Sequence, residues 1–191
     1  MKATEPVSTQ LPFSRPFKVE EAGDRPVEID IVADEAARSA VAKQAGIPAL
    51  GSLKARLRIE ALRRGRIEVT GELTATPTQI CGVTLEPFEN EVREQIEAVF
   101  APEKDAEKAA ARFASRPEDA DDEASSEEPP DPIIDGRIDL GQLVVEFFVL
   151  GLDPYPRKPG VAFEAPVVAA SDIAEESPFA ALAKLKQPKG E

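Results

Sequence analysis

The chain has no histidine and no tryptophan, and only one cysteine and one tyrosine among its 191 residues. The missing imidazole removes the side chain best suited to proton transfer near neutral pH, and the commonest metal ligand. A lone Cys81 cannot close an internal disulfide, so the chain is not a stapled secreted domain. As a nucleophile, Cys81 would need a base and an orienting group, and no histidine exists to serve. One thiolate is also too little for structural zinc, which takes four strong ligands. No window reaches about 18 apolar residues, so no membrane span is predicted. The N-terminal MKATEPVSTQLPFSRPF lacks the apolar core of a signal peptide. The expected location is cytoplasmic.

Two carboxylate pairs, Asp30 with Asp34 and Asp135 with Asp139, are the remaining route to Mg²⁺ chemistry and to a hydrolase acting on RNA. Carboxylates are common throughout so acidic a chain. Gly65, Gly71 and Gly82 read as turn or bulge glycines, far from any phosphate loop. The expectation is therefore no enzyme, no catalytic residue, no metal, no cofactor and no small-molecule substrate.

What is present is charge, unevenly spread. Asp and Glu number 36 against 23 Lys and Arg, a net charge of −13. That balance favours solubility and opposes indiscriminate nucleic-acid binding. From Ala101 to Pro132 the chain changes character. AEKAAARFA has the makings of a transient helix, and RPEDADDEASSEEPPDP carries eight acids from Glu118 to Asp131 with no base among them. Self-repulsion and scarce apolar side chains leave little to offset the entropy of ordering. Residues 101–132 are thus expected to be a disordered acidic insertion, and they hold more than half of the net negative charge. Residues 13–100 and 133–187 are expected to form one α+β domain, with flexible tails at 1–12 and 188–191.

The folded parts show two periods. Phe13–Val19 suggests a first strand, kept at an edge by Pro16. Val27, Ile29 and Ile31 alternate with Glu28 and Asp30, the pattern of a half-buried strand. Asp34 stands as an N-cap before EAARSAVAKQAG, with Gly46 as the stop. Leu53, Ala55, Leu57, Ile59 and Ala61 alternate with charged residues, as do Ile67, Val69, Gly71, Leu73 and Ala75 beyond the bend at Arg64-Gly65. This is a long antiparallel hairpin with one wet face, closed by Pro77. Residues 81–88 read as a turn and loop. Val92, Ile96 and Phe100 fit strand or helix and are assigned to a strand, since a lone hairpin needs further partners. Asp139 caps a helix whose Leu140, Leu143, Val144, Phe147 and Phe148 form a broad apolar face, and exposure of Phe147 or Phe148 would point to a partner. Asp153–Pro159 is stiffened by its prolines. Phe179, Leu182 and Leu185 are spaced for a docked turn or two of helix. The expected fold is α+β: a small antiparallel sheet or partly closed barrel covered by two helices, 34–45 and 139–151, with a long disordered acidic loop.

Two surfaces invite macromolecules. Lys54, Arg56, Arg58, Arg63, Arg64 and Arg66 lie within thirteen residues with only Glu60 opposing. Three line a strand face and three crowd the turn, a ridge suited to phosphate backbones. No aromatic stacking platform accompanies it, so single-strand base readout is not expected. The same residues also suit a plain solvated sheet face. Tyr155, Arg157 and Lys158 form a second candidate contact on the stiff segment, which reads equally as a strap across the core. The acids Glu118, Asp119, Asp121, Asp122 and Glu123 are candidates for screening the ridge or for holding a basic protein.

Five blocks carry a resemblance: Phe13-Ser14-Arg15-Pro16; residues 78–88, TQICGVTLEPF; Gly136-Arg137-Ile138-Asp139-Leu140-Gly141 with Glu146; residues 153–160, DPYPRKPG; and residues 178–186, PFAALAKLK. In order and together they resemble the alphaproteobacterial branch of the YceD family, named for large ribosomal RNA subunit accumulation. The resemblance implies a non-enzymatic cytoplasmic factor in ribosome biogenesis that supports accumulation of large-subunit (23S) ribosomal RNA. The partner implied is the rRNA or a pre-ribosomal particle. The alternative is a chaperone-like module holding a basic large-subunit ribosomal protein through its acidic surface. Members often carry Cys-x-x-Cys in the central loop. Here Thr84 stands at the second position, which counts against a metal or redox role.

Overall fold

A computed structural model describes residues 12–23, 25–115 and 128–162. The account below concerns the compact unit that ends at Pro159. Its strands are β1 (Pro16–Lys18), β2 (Val27–Val32), β3 (Ala49–Ala61), β4 (Ile67–Ile80), β5 (Pro87–Glu89), β6 (Val92–Pro102), β7 (Asp131–Ile133) and β8 (Arg137–Asp139). Its α-helices are α1 (Glu35–Ala45), α2 (Glu103–Ala114) and α3 (Leu140–Leu150).

The main sheet runs in the order β2-β3-β4-β6-β7, with β5 beside the end of β4, and a separate small sheet pairs β1 with β8. The expected hairpin is its spine: Ile59 faces Val69, Leu57 faces Gly71 and Lys54 faces Thr74. Period two along β3 and β4 sends Leu53, Leu57, Ile59, Ile67, Val69 and Leu73 into a core where each is fully or almost fully buried. α1 and α3 cover that face through Val41, Leu143, Val144 and Phe148. Phe148 is wholly buried and Phe147 only half-buried.

The capping expectations hold. Asp34 accepts from the Ala37 N–H, and Gly46 leaves α1 in the left-handed region at φ 68°. Asp139 caps α3 by accepting from the Gly141 and Gln142 N–H groups. It also accepts from the Arg15 N–H and the Ser14 hydroxyl, so one carboxylate joins β1, β8 and α3. Gly141 is needed there, since a Cβ would lie 2.7 Å from the Phe13 carbonyl oxygen.

Several expectations are corrected. The sheet is open, not a barrel: β2 and the three-residue β7 end it, and helices cover its apolar face without closure. It is mixed, not purely antiparallel, because β7 returns parallel to β6 after α2. Among the described residues there are three α-helices rather than two. α2 lies inside the stretch 101–132 expected to be disordered and β7 begins in it, and Ala101 and Ala106 are buried at the sheet end. Pro77 does not close the hairpin. It lies within β4, fully buried, and the strand continues to Ile80. Gly71 is neither turn nor bulge: it sits in regular register, where a Cβ would come 2.1 Å from the Arg56 carbonyl oxygen.

Candidate nucleic-acid interface

The six hairpin cations separate into two groups. Lys54, Arg56 and Arg58 point from β3 to the wet face of the sheet. Cross-strand register sets Arg56 between Asp30 and Glu72, and Arg58 between Glu28 and Thr70. Arg56 Nε donates to Asp30 at 2.9 Å, and that bond holds the guanidinium pKa above its ordinary value. Arg58 reaches Glu60 at 3.3 Å. Glu60 and Glu68 face each other one row nearer the turn, and Glu97 lies on the same face of β6. Opposite charges placed directly across strands pair, so Arg56 and Arg58 are balanced by acids, while Lys54 stands between Val32 and Thr74.

The other three cations are at the tip. The chain turns there through two successive left-handed residues, Arg64 at φ 65° and Gly65 at φ 68°. Glycine adopts that conformation freely, whereas arginine does so at a cost. The Leu62 N–H donates to the Arg66 carbonyl at 2.8 Å and closes the loop. Arg63, Arg64 and Arg66 are all exposed.

α2 completes the site. Glu103 and Asp105 stand in its first turn and Arg112 in its last, each sign where the helix dipole favours it. Asp105, Lys108, Ala109 and Arg112 fall at helical spacing, so they share one face. With Leu62, Arg63, Arg64 and Arg66 they line an open groove of about 750 Å³. Five cations and one carboxylate therefore converge, with Asp105 3.8 Å from Lys108. Lys108 and Arg112 were missed by the sequence reading because α2 fell within the assigned insertion. Their signal was there in the i, i+3, i+4, i+7 spacing.

The strap lies at the other end of β4, whose 14 residues at about 3.3 Å each span roughly 45 Å. Arg157 and Lys158 therefore do not join the tip cations. Tyr155 is 80% exposed. Lys158 Nζ contacts Glu86 at 3.4 Å. Beneath the strap, buried Gln79 donates to the Asp153 carbonyl at 3.0 Å, and the Gly82 N–H donates to the Pro156 carbonyl at 2.8 Å. Cys81 is fully buried there. A hydrogen bond from the Lys158 N–H, with others from the Thr84 hydroxyl and the Thr84 and Val83 N–H groups, outweighs burial and lowers its pKa from 9.0 to about 6. The sequence pattern carried no sign of this lowered pKa. Glu118, Asp119, Asp121, Asp122 and Glu123 lie outside the described residues, as does the 178–186 segment.

At Asp139 burial pushes the carboxyl upward, but hydrogen bonds from Ser14, Arg15, Gln142 and Gly141 prevail and hold it below the usual range. Asp131 is raised by burial and by nearby Glu146 and Glu128. Among the described residues no group of three His, Cys, Asp or Glu side chains is placed to hold a metal, and no helix is long and apolar enough to cross a membrane.

No curated protein and no solved structure is significantly similar to the chain. A protein-family model, Large ribosomal RNA subunit accumulation protein YceD, matches residues 69–186. The match runs from near the start of β4 through the groove helix, the Asp139 cap and the strap, which is more than half of the sequence, and the chain belongs to the YceD family.

Proposed function

We infer that this member of a family of non-catalytic accumulation factors supports large-subunit (23S) rRNA by holding the RNA, free or in a pre-ribosomal particle, at the tip groove. One observation carries the reading: five cations and one acid gather on two walls of a groove in a chain whose net charge is −13. Cations concentrated against the overall charge are what phosphate recognition uses, because each phosphate neutralised releases counterions. Only Leu62 and Ala109 add apolar surface to the lining. The contact is thus to backbone and tolerant of sequence. Action on ribosomal RNA implies a cytoplasmic setting.

The test is binding of a large-subunit rRNA fragment by the full chain and by R63Q/R64Q/R66Q, measured across salt concentration. The expected result is a loss of about 30-fold at 0.1 M salt, with the slope of log K against log salt shallower by about 3. Equal affinity and equal slope for the two proteins would overturn the groove as the RNA site.

A further inference from the structure

The wet face of the sheet is a charge lattice that stops one strand early. Read across the strands, one row runs Asp30, Arg56, Glu72 and the next runs Glu28, Arg58, Thr70, Glu97. A third row begins at Val32, which is 57% exposed, and continues to Lys54, Thr74 and Arg93. Only the first row alternates fully, acidic, basic, acidic; what recurs in the first two is an acid on β2, Asp30 or Glu28, beside an arginine on β3. β2 ends the main sheet, and among the described residues no strand pairs with its outer edge.

The inner face at the same edge is also unfinished. Val27 and Ile29 are only half-buried, while Ile59 and Leu57, their β3 partners, are fully buried. A six-residue edge with alternating side chains, exposed backbone groups and partly uncovered apolar residues is a template for one more strand. Its charge selects the occupant. Two copies of this chain paired antiparallel through β2 would set Glu28 and Asp30 against acids of the other copy, which is destabilising. A strand carrying cations two residues apart would continue the alternation.

We propose that the β2 edge binds an extended basic segment of another protein by strand addition. Lys or Arg of that segment lies opposite Glu28 and Asp30, an apolar residue opposite Val32, and apolar residues cover Val27 and Ile29 from within. The site is separate from the tip groove and does not rest on the RNA reading.

The probe is a short synthetic peptide alternating lysine and valine. Two control peptides go with it: one N-methylated at alternate backbone nitrogens, the other carrying glutamate for lysine. The full chain is expected to bind the first peptide, with amide exchange slowed at residues 27–32, and to bind each control at least tenfold more weakly. Glu28→Gln with Asp30→Asn, and separately Glu28→Lys with Asp30→Lys, should each weaken binding, the reversal by more than tenfold. R63Q/R64Q/R66Q should bind the peptide as the unaltered chain does. Equal binding of the N-methylated peptide would overturn strand addition, since only charge would then be at work. No binding of the lysine peptide, unchanged binding by the folded β2 variants, or protection appearing elsewhere than β2 would overturn the site.

Discussion

The two ends of the β3–β4 hairpin solve opposite problems. At the tip, Arg63, Arg64 and Arg66 stand exposed beside Lys108 and Arg112, and only one carboxylate lines the groove with them. At the far end, Gln79 and Cys81 are buried and bond inward, to the Asp153 carbonyl and the Lys158 N–H, while Gly82 beside them bonds the Pro156 carbonyl. The most recognisable motifs, TQICGVTLEPF and DPYPRKPG, belong to the inward-turned end. Motif density there marks the joining of chain segments distant in sequence, because buried polar groups must be paired. The tip has less distinctive residues, and its exposed surface is free to meet a partner.

The sharpest way to break this contrast is at the Asp139 junction, which belongs with the structural motifs. Asp139→Ala removes a helix cap and strands the donors of Ser14, Arg15, Gly141 and Gln142. It should cost about 2–3 kcal/mol in urea unfolding. Because the folded carboxyl is held below its usual range, its contribution is present above about pH 4 and is lost as pH falls through the folded value. The folded fraction should still bind RNA. Loss of RNA binding by folded protein would show that the junction is itself a contact surface.

At the groove, K108Q/R112Q should weaken RNA binding about fivefold, less than the triple tip variant, and leave the unfolding midpoint unchanged. An unchanged affinity would reduce the site to the hairpin alone. On the balanced sheet face, R56Q/R58Q should alter RNA affinity by no more than about twofold, since Asp30, Glu28 and Glu60 already offset those charges. A loss as large as that of the tip variant would restore the single continuous ridge.

The effect expected at Cys81 shows only as pH is varied. Its folded pKa is about 6 against an ordinary 9.0, so between those values the unfolded chain holds a proton that the folded chain has released. Stability should rise with pH over that window in the unaltered chain and rise less in Cys81→Ser. Thiolate absorbance should show a midpoint near 6. A midpoint near 9 would mean that the strap does not deliver its N–H groups to the sulfur.

Much of the fold was legible along the chain. Alternation of period two marked β2, β3 and β4, and Asp34, Gly46 and Asp139 marked the ends of α1 and α3. α2 was less legible because AEKAAARFA has a weak apolar face and runs directly into acids. Only burial of Ala106 at the sheet end shows what holds it. For the candidate site, the tip cations were identifiable as a cluster, but Lys108 and Arg112 were out of reach without α2.

By itself the sequence determined that β2, β3 and β4 are strands and α1 and α3 helices, where their caps stand, and which motifs place the chain in its family. These are local matters of backbone propensity and periodic burial, set by residues within a few positions of one another. Only the tertiary structure decided which cations remain available. Arg56 and Arg64 lie eight positions apart in one basic run, yet Arg56 is paired and Arg64 lines a groove. The reason is that Coulomb energy depends on distance in space. The carboxylate of Asp30 reaches Arg56 through strand register, and the cations of α2 reach the tip through a helix packed on the sheet end.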